Sequence, residues 1–191
     1  MTVPAELRPA LPPWAAVSAD RLLHIERVAR LTADWADRLG VPASERNRWL
    51  KAVWLHDALR DAPVAEFARW APSVEGPVEL RHGPAAAARA KAEGETDRGV
   101  LDAVRYHSIG FAEWDMVGRV LYCADFLEPG RRFDAEERAA LALAFPGDPG
   151  RALTEVARHR LLYVIRSAWT IPEPTYRFWN ALVGGAPRDW R

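Results

Sequence analysis

The sequence lacks most features that would indicate a secreted, membrane-bound or nucleic-acid-binding protein. Its 191 residues include one cysteine, Cys123, so no disulfide can form within the chain and a reducing compartment is expected. It contains no run of about 18 apolar residues, as a transmembrane helix would need, and its N-terminal residues are not expected to act as a signal peptide, because they lack a continuous apolar core. The 26 basic residues equal the 26 acidic ones, which argues against binding to a nucleic acid polymer or a membrane surface. We therefore expect a cytoplasmic protein.

Alternating apolar residues, which are typical of strands, are also missing, whereas apolar residues recur at the period of helices. The pattern predicts an all-α fold, with a proline-rich segment over 1–17 followed by one helical domain over 18–191. The first helix is expected to start after Ser18 and the second after Ser44, whose hydroxyl can cap it. A capping-box-like sequence begins at Asp134 and predicts the start of a later helix.

Polar residues interrupt the apolar faces of several predicted helices. His24, His56 and His107 fall on such faces, and His82 lies at a helix entrance. Asp125 is a carboxylate on another apolar face, where burial without a partner would cost several kcal/mol. Each histidine alone is more often structural than a ligand. One site that gathers all five groups nevertheless explains their placement together.

The dipeptide His56-Asp57 supplies an imidazole and a carboxylate about 100° apart on one helix turn. Asp57 has two oxygens and can therefore bridge two ions. The first ion would be held by His24, His56, Asp57 and Asp125, and the second by His82, His107 and the same Asp57.

This set of donors predicts phosphate chemistry. Imidazoles with some carboxylate suit iron, manganese, cobalt or zinc better than magnesium or calcium. Two ions about 3.5–4 Å apart can activate a shared water and clamp a phosphoryl group. The lack of a cysteine cluster argues against a zinc finger.

Four segments carry a family resemblance. They read LHDALR at 55–60, HGP at 82–84, YHSIG at 106–110 and ADFLEPGR at 124–131. With His24, they resemble the HD superfamily of metal-dependent phosphohydrolases over about residues 20–165. The last segment is the most specific for its YqeK-like branch, bacterial symmetrical diadenosine tetraphosphate hydrolases with a dinuclear iron centre.

The resemblance implies an HD-type helical bundle with the metal site among the central helices. It implies that the same six residues bind two metal ions and that Asp57 bridges them. By likeness to the family, the ions would be iron. A hydroxide between the ions would attack an inner phosphorus of diadenosine tetraphosphate and release two ADP.

Further residues are predicted to contact the small-molecule nucleotide substrate. Arg60 stands where the family usually has lysine, and it is predicted to act with Asp57 in catalysis and to bind phosphate. Ser108 replaces the family's threonine and keeps the hydroxyl. Arg131 and Arg132 either face the polyphosphate or are solvated at the surface. Nearby Glu128 either orients Arg131 or binds solvent.

Two alternative functions stay open. One is another HD-type nucleotide phosphohydrolase or phosphodiesterase activity. The other is a non-catalytic nucleotide-binding protein. Such a protein should lack a metal ligand, whereas all six candidate ligands are present in this chain. Tryptophans near the C-terminus, Trp169, Trp179 and Trp190, are candidates for a nucleobase surface or a homodimer interface.

Overall fold

Helices joined by short loops make up the computed structural model, which describes residues 9–73, 77–131 and 133–185. Within those ranges no residue lies in a β-strand, which confirms the predicted all-α fold. The helices are α1 (Ala19–Leu39), α2 (Ala43–His56), α3 (Val64–Trp70), α4 (His82–Ala92), α5 (Arg98–Tyr106), α6 (Met116–Leu127), α7 (Ala135–Ala144), α8 (Pro149–Arg166) and α9 (Glu173–Val183). A short 3-10 helix, Val78–Leu80, precedes α4.

The core lies where α1, α2, α4, α5 and α6 pack against one another. Helix α6 is buried on most of its circumference, and its Val117, Val120 and Leu121 are at most 1% exposed, so it is a central helix. Four buried alanines in α4 are small enough to let that helix approach α5 closely. Asp125 also lies on α6, and the fold therefore carries this carboxylate into the interior.

The starts of the helices depend on local capping, and only some were predicted. Helix α1 begins after Ser18 as expected, because the Ser18 hydroxyl accepts a hydrogen bond from the N–H of Arg21 at 3.2 Å. The cap predicted at Ser44 is wrong, since α2 begins at Ala43, Pro42 occupies the cap position, and no side chain caps it. The capping box at Asp134 is also wrong. Asp134 has a φ of 51° and no capping hydrogen bond, although α7 does begin after it.

The described part of the proline-rich segment, residues 9–17, contacts the helical core. The N–H of Ala16 donates to the carbonyl oxygen of Ala58 at 2.7 Å. The Arg89 guanidinium lies 5.0 Å from the centre of the Trp14 ring. These residues are therefore attached to the bundle, while the division of the chain at residue 17 stays a prediction.

Three further expectations from the sequence concern membrane-spanning helices, the C-terminal tryptophans and a homodimer. None of the described helices is long and apolar enough to cross a membrane. Of the C-terminal tryptophans, Trp169 is 44% exposed, Trp179 packs against the core, and Trp190 lies outside the described residues. The homodimer stays a prediction.

Candidate metal centre

The side chains of the six predicted metal ligands come together in the core, and each residue is at most 7% exposed. Most of them are placed by helix ends, where the chain leaves one helix and can turn a side chain inwards. His24 lies within α1, His56 ends α2 and Asp57 follows it, His82 opens α4, His107 follows α5, and Asp125 lies near the end of α6.

Asp57 is the shared member of two groups. Its Oδ2 lies 3.7 Å from His24 Nε2 and 3.5 Å from His56 Nε2. Its Oδ1 lies 3.0 Å from His82 Nε2 and 3.6 Å from His107 Nε2. Each group could hold a metal ion. We refer to His24, His56 and Asp57 as the His24 position, and to Asp57, His82 and His107 as the His82 position.

Backbone carbonyls fix the tautomer of three of the four imidazoles. In each case Nδ1 donates to the carbonyl oxygen three residues earlier. The contacts are His56 to Val53 at 2.6 Å, His82 to Glu79 at 2.6 Å, and His107 to Val104 at 2.8 Å. A carbonyl can only accept, so Nδ1 carries the proton and Nε2 presents a lone pair. This is the arrangement that metal-bound histidines use.

The Nε2 atoms have contacts that fit a cation between them. The Nε2 atoms of His24 and His56 are buried, and neither has a hydrogen-bond partner among the described residues. The Nε2 atoms of His82 and His107 lie 3.0 Å apart, so two lone pairs face each other. Two imidazole nitrogens that bind one ion at about 2.1 Å, at right angles, have this separation. Burial also lowers the pKa of His56 to about 4, which keeps its imidazole neutral.

The electrostatics of Asp57 also favour cation binding. Burial by itself would raise the pKa of Asp57, but His56, His107 and His82 lower the pKa well below its usual value wherever these rings carry a proton towards it. In addition, Nη1 of Arg21 donates to Oδ2 of Asp57 at 2.8 Å. Asp57 is therefore ionised and able to serve both positions.

Asp125 lies beside the His24 position and is held by arginines. Its Oδ1 is 3.1 Å from His24 Nε2 and accepts a hydrogen bond from Arg131 at 2.9 Å. Its Oδ2 accepts a hydrogen bond from Arg160 at 2.8 Å. Burial would raise the pKa of Asp125, but His24 and the two arginines hold it well below its usual value. Asp125 can therefore complete the His24 position as a carboxylate.

Three of the four residues predicted to contact the substrate lie beside the metal ligands, and the fourth is outside the described residues. Arg60 Nη1 lies 3.2 Å from His82 Nδ1 and donates to the carbonyl oxygen of Glu79 at 2.6 Å. The Ser108 hydroxyl lies 3.1 Å from His107 Nε2. Arg131 is engaged by Asp125 as described above, and Arg132 lies outside the described residues.

Several residues of the site were not assigned to it by sequence reasoning. Arg21 and Arg160 contact the two aspartates, and Arg160 also donates to the carbonyl oxygen of Tyr122. Glu128 was expected to orient Arg131 or bind solvent. It is buried and lies 3.5 Å from Nε of Arg131, and it also contacts His24 and Arg27. Arg21 lies one helical turn before His24, and this spacing could have indicated that it belongs to the site. No local sequence pattern indicates the same for Arg160.

Comparison with known proteins identifies relatives over most of the chain. The model of the HD domain family matches residues 21–142. A Bacillus subtilis (strain 168) protein named symmetrical bis(5'-nucleosyl)-tetraphosphatase is 27% identical over 175 residues, which cover 87% of this chain and 91% of that protein. A Staphylococcus aureus (strain NCTC 8325 / PS 47) protein of the same name is 28% identical over 98 residues, covering 51% of this chain and 50% of that protein.

A solved structure has a similar fold. It is a protein from Clostridium acetobutylicum described as a predicted HD superfamily hydrolase involved in NAD metabolism. It superposes with a TM-score of 0.75 at 22% identity and covers 88% of this chain and 91% of that chain. At this identity the similarity shows the helical architecture alone.

Proposed function

Since this chain belongs to the HD domain family, we propose that it is a symmetrical dinucleoside tetraphosphate hydrolase, which splits diadenosine tetraphosphate into two ADP. The observation that carries the proposal is Asp57, whose two oxygens face separate pairs of imidazoles. The names of the Bacillus and Staphylococcus relatives support the choice of substrate.

The donor set is suited to two divalent transition ions, with iron as the first choice and manganese, cobalt or zinc as alternatives. When bound, such a pair supplies Lewis acidity and activates water for in-line attack on phosphorus. The protein contributes the ionised, bridging Asp57 and, at His56, His82 and His107, Nε2 lone pairs that are already directed inwards. Asp125 adds a second carboxylate at the His24 position.

The cationic side chains around the cluster favour a polyphosphate. Five arginines lie against three carboxylates when the Arg27–Glu128 pair is included, so positive charge remains before any ion is bound. Arg21 pairs with Asp57, Arg131 and Arg160 pair with Asp125, and Arg60 lies beside His82. Guanidinium groups bind phosphate oxygens in a bidentate way and stabilise charge that develops in the transition state. Arg60 and Arg131, with the Ser108 hydroxyl, are proposed to contact the substrate.

The test is product analysis with purified, metal-loaded protein. Diadenosine tetraphosphate should give ADP as the only nucleotide product, and in ¹⁸O-water the label should enter the terminal phosphate of one ADP. Asp57→Ala should be inactive under the same conditions. The proposal fails if ATP and AMP appear, if mononucleotides or cyclic dinucleotides are preferred, or if nucleotide binds without turnover.

The proposed substrate is a small nucleotide, so neither a nucleic acid polymer nor a membrane is needed as a partner. We place the reaction in the cytoplasm, because the buried Cys123 thiol requires no oxidising compartment.

A further inference from the structure

His24 differs from the other three imidazoles in what holds its Nδ1. The other three donate to a carbonyl three residues earlier, at or near a helix end. His24 lies in the interior of α1 (Ala19–Leu39), where the preceding carbonyls are used by the helix itself. Its Nδ1 lies instead 3.1 Å from Oε1 of Glu128, 104 residues away in sequence.

Glu128 is itself fixed in place. It is the residue that follows α6, and it is 2% exposed. Its Oε2 accepts hydrogen bonds from the N–H of Gly130 at 2.7 Å and from Nε of Arg27 at 2.5 Å. A carboxylate with these donors has little freedom to turn away from the His24 ring.

A carboxylate on the distal nitrogen changes what an imidazole can do. It fixes the ring orientation and the tautomer, and it makes the free nitrogen a stronger metal ligand than a neutral carbonyl does. Glu128 also lies three residues after Asp125, which approaches Nε2 of the same ring at 3.1 Å. The end of α6 therefore contacts His24 on both of its nitrogens.

We propose that Glu128 is a positioning residue that holds His24 as a metal ligand and makes the His24 position the tighter of the two. The inference rests on the metal centre of the proposed function. In the described part of the chain, backbone carbonyls and not a buried carboxylate hold Nδ1 of His82 and His107 at the His82 position.

The experiment uses cobalt(II) alone as the probe, added to metal-stripped full-length protein and followed by its visible absorption and by equilibrium dialysis. The wild-type protein should bind two ions, one more tightly than the other. Glu128→Gln keeps the size of the side chain but removes its charge. It should weaken the tighter position by about 10- to 100-fold and leave the other unchanged.

Two control variants separate positioning from structural support. Arg27→Met removes one ion pair of Glu128 but leaves its contacts with Gly130, Arg131 and His24, so any loss of cobalt affinity should be clearly smaller than in Glu128→Gln. Glu137→Gln removes a carboxylate that lies 3.1 Å from the surface imidazole of His159, and it should have no effect on binding. On a His24→Ala background, Glu128→Gln should cause no further loss of affinity.

Three results would overturn the proposal. One is full retention of the tighter position in Glu128→Gln, another is an equal loss in Arg27→Met, and the third is a further loss on the His24→Ala background. If Glu128→Gln does not fold, Glu128→Asp keeps the charge but shortens the reach, and retained affinity there would contradict the proposal. Absence of cobalt binding in the wild-type protein would instead refute the metal centre itself, and this inference with it.

Discussion

Gly83→Ala should disturb one metal position and leave the other intact. Gly83 lies in the first turn of α4, where this helix meets the end of α5. A Cβ atom at residue 83 would lie 2.9 Å from the carbonyl oxygen of Val104 and 3.0 Å from Cε1 of His107. The same Val104 carbonyl accepts the Nδ1 hydrogen bond of His107. The added methyl group therefore presses on the His107 ring and on the group that orients it.

The size of the effect follows from these distances. A carbon atom is tolerated at roughly 3.3 Å from a carbonyl oxygen, so the neighbours must move by about 0.4 Å. Metal–ligand distances are defined to about 0.2 Å, so this shift exceeds what the His82 position tolerates. We expect its affinity to fall at least tenfold, or about 1.4 kcal/mol. Overpacking costs about 1–3 kcal/mol of stability, partly offset by the helix propensity of alanine.

The assay is metal content per chain after dialysis, measured together with thermal unfolding. Gly83→Ala should retain about one ion where the wild type retains two, and its Tm should fall by roughly 2–8 °C. Gly147→Ala is the matched control, because a Cβ atom there meets just the Ala144 carbonyl at 3.5 Å. Two ions of unchanged affinity in Gly83→Ala would refute the reasoning.

Three further predictions test the bridge, the substrate contact and a helix cap. Asp57→Ala should abolish turnover and lower the metal content of both positions, and a wild-type metal content would refute bridging. Arg60→Ala should lower kcat/KM about 10- to 100-fold with metal content intact, whereas loss of metal would mark Arg60 as support for His82. Ser18→Ala should destabilise the fold by about 1 kcal/mol in denaturant titrations and Ser44→Ala by almost nothing, and equal effects would contradict the capping assignment.

The central residues of the candidate site could be predicted because they are polar side chains at positions that the helical pattern places in the interior. His24, His56 and Asp125 interrupt apolar helix faces, and such groups need a shared partner in the interior. The helical period that defines those faces also predicts the all-α fold. Capping contacts are harder to predict, since Ser44 and Asp134 are residue types that cap helices but do not have the backbone position or conformation of a cap.

The charged residues around the metal ligands could not be predicted in the same way. Arg21, Arg160 and Glu128 reach their partners across 36, 35 and 104 residues of sequence. The chain has 26 basic and 26 acidic residues. In the sequence, a charged residue that joins a buried pair looks the same as one that is solvated at the surface. Such pairs are decided by tertiary packing, which is why Glu128 faces His24 as well as the expected Arg131.

The most direct test of the account is anomalous diffraction from crystals of the metal-loaded protein. Two peaks should lie on either side of Asp57, about 3.5–4 Å apart, one next to His24 and His56 and the other next to His82 and His107. A single peak, or peaks remote from Asp57, would contradict the shared carboxylate on which the proposed chemistry depends.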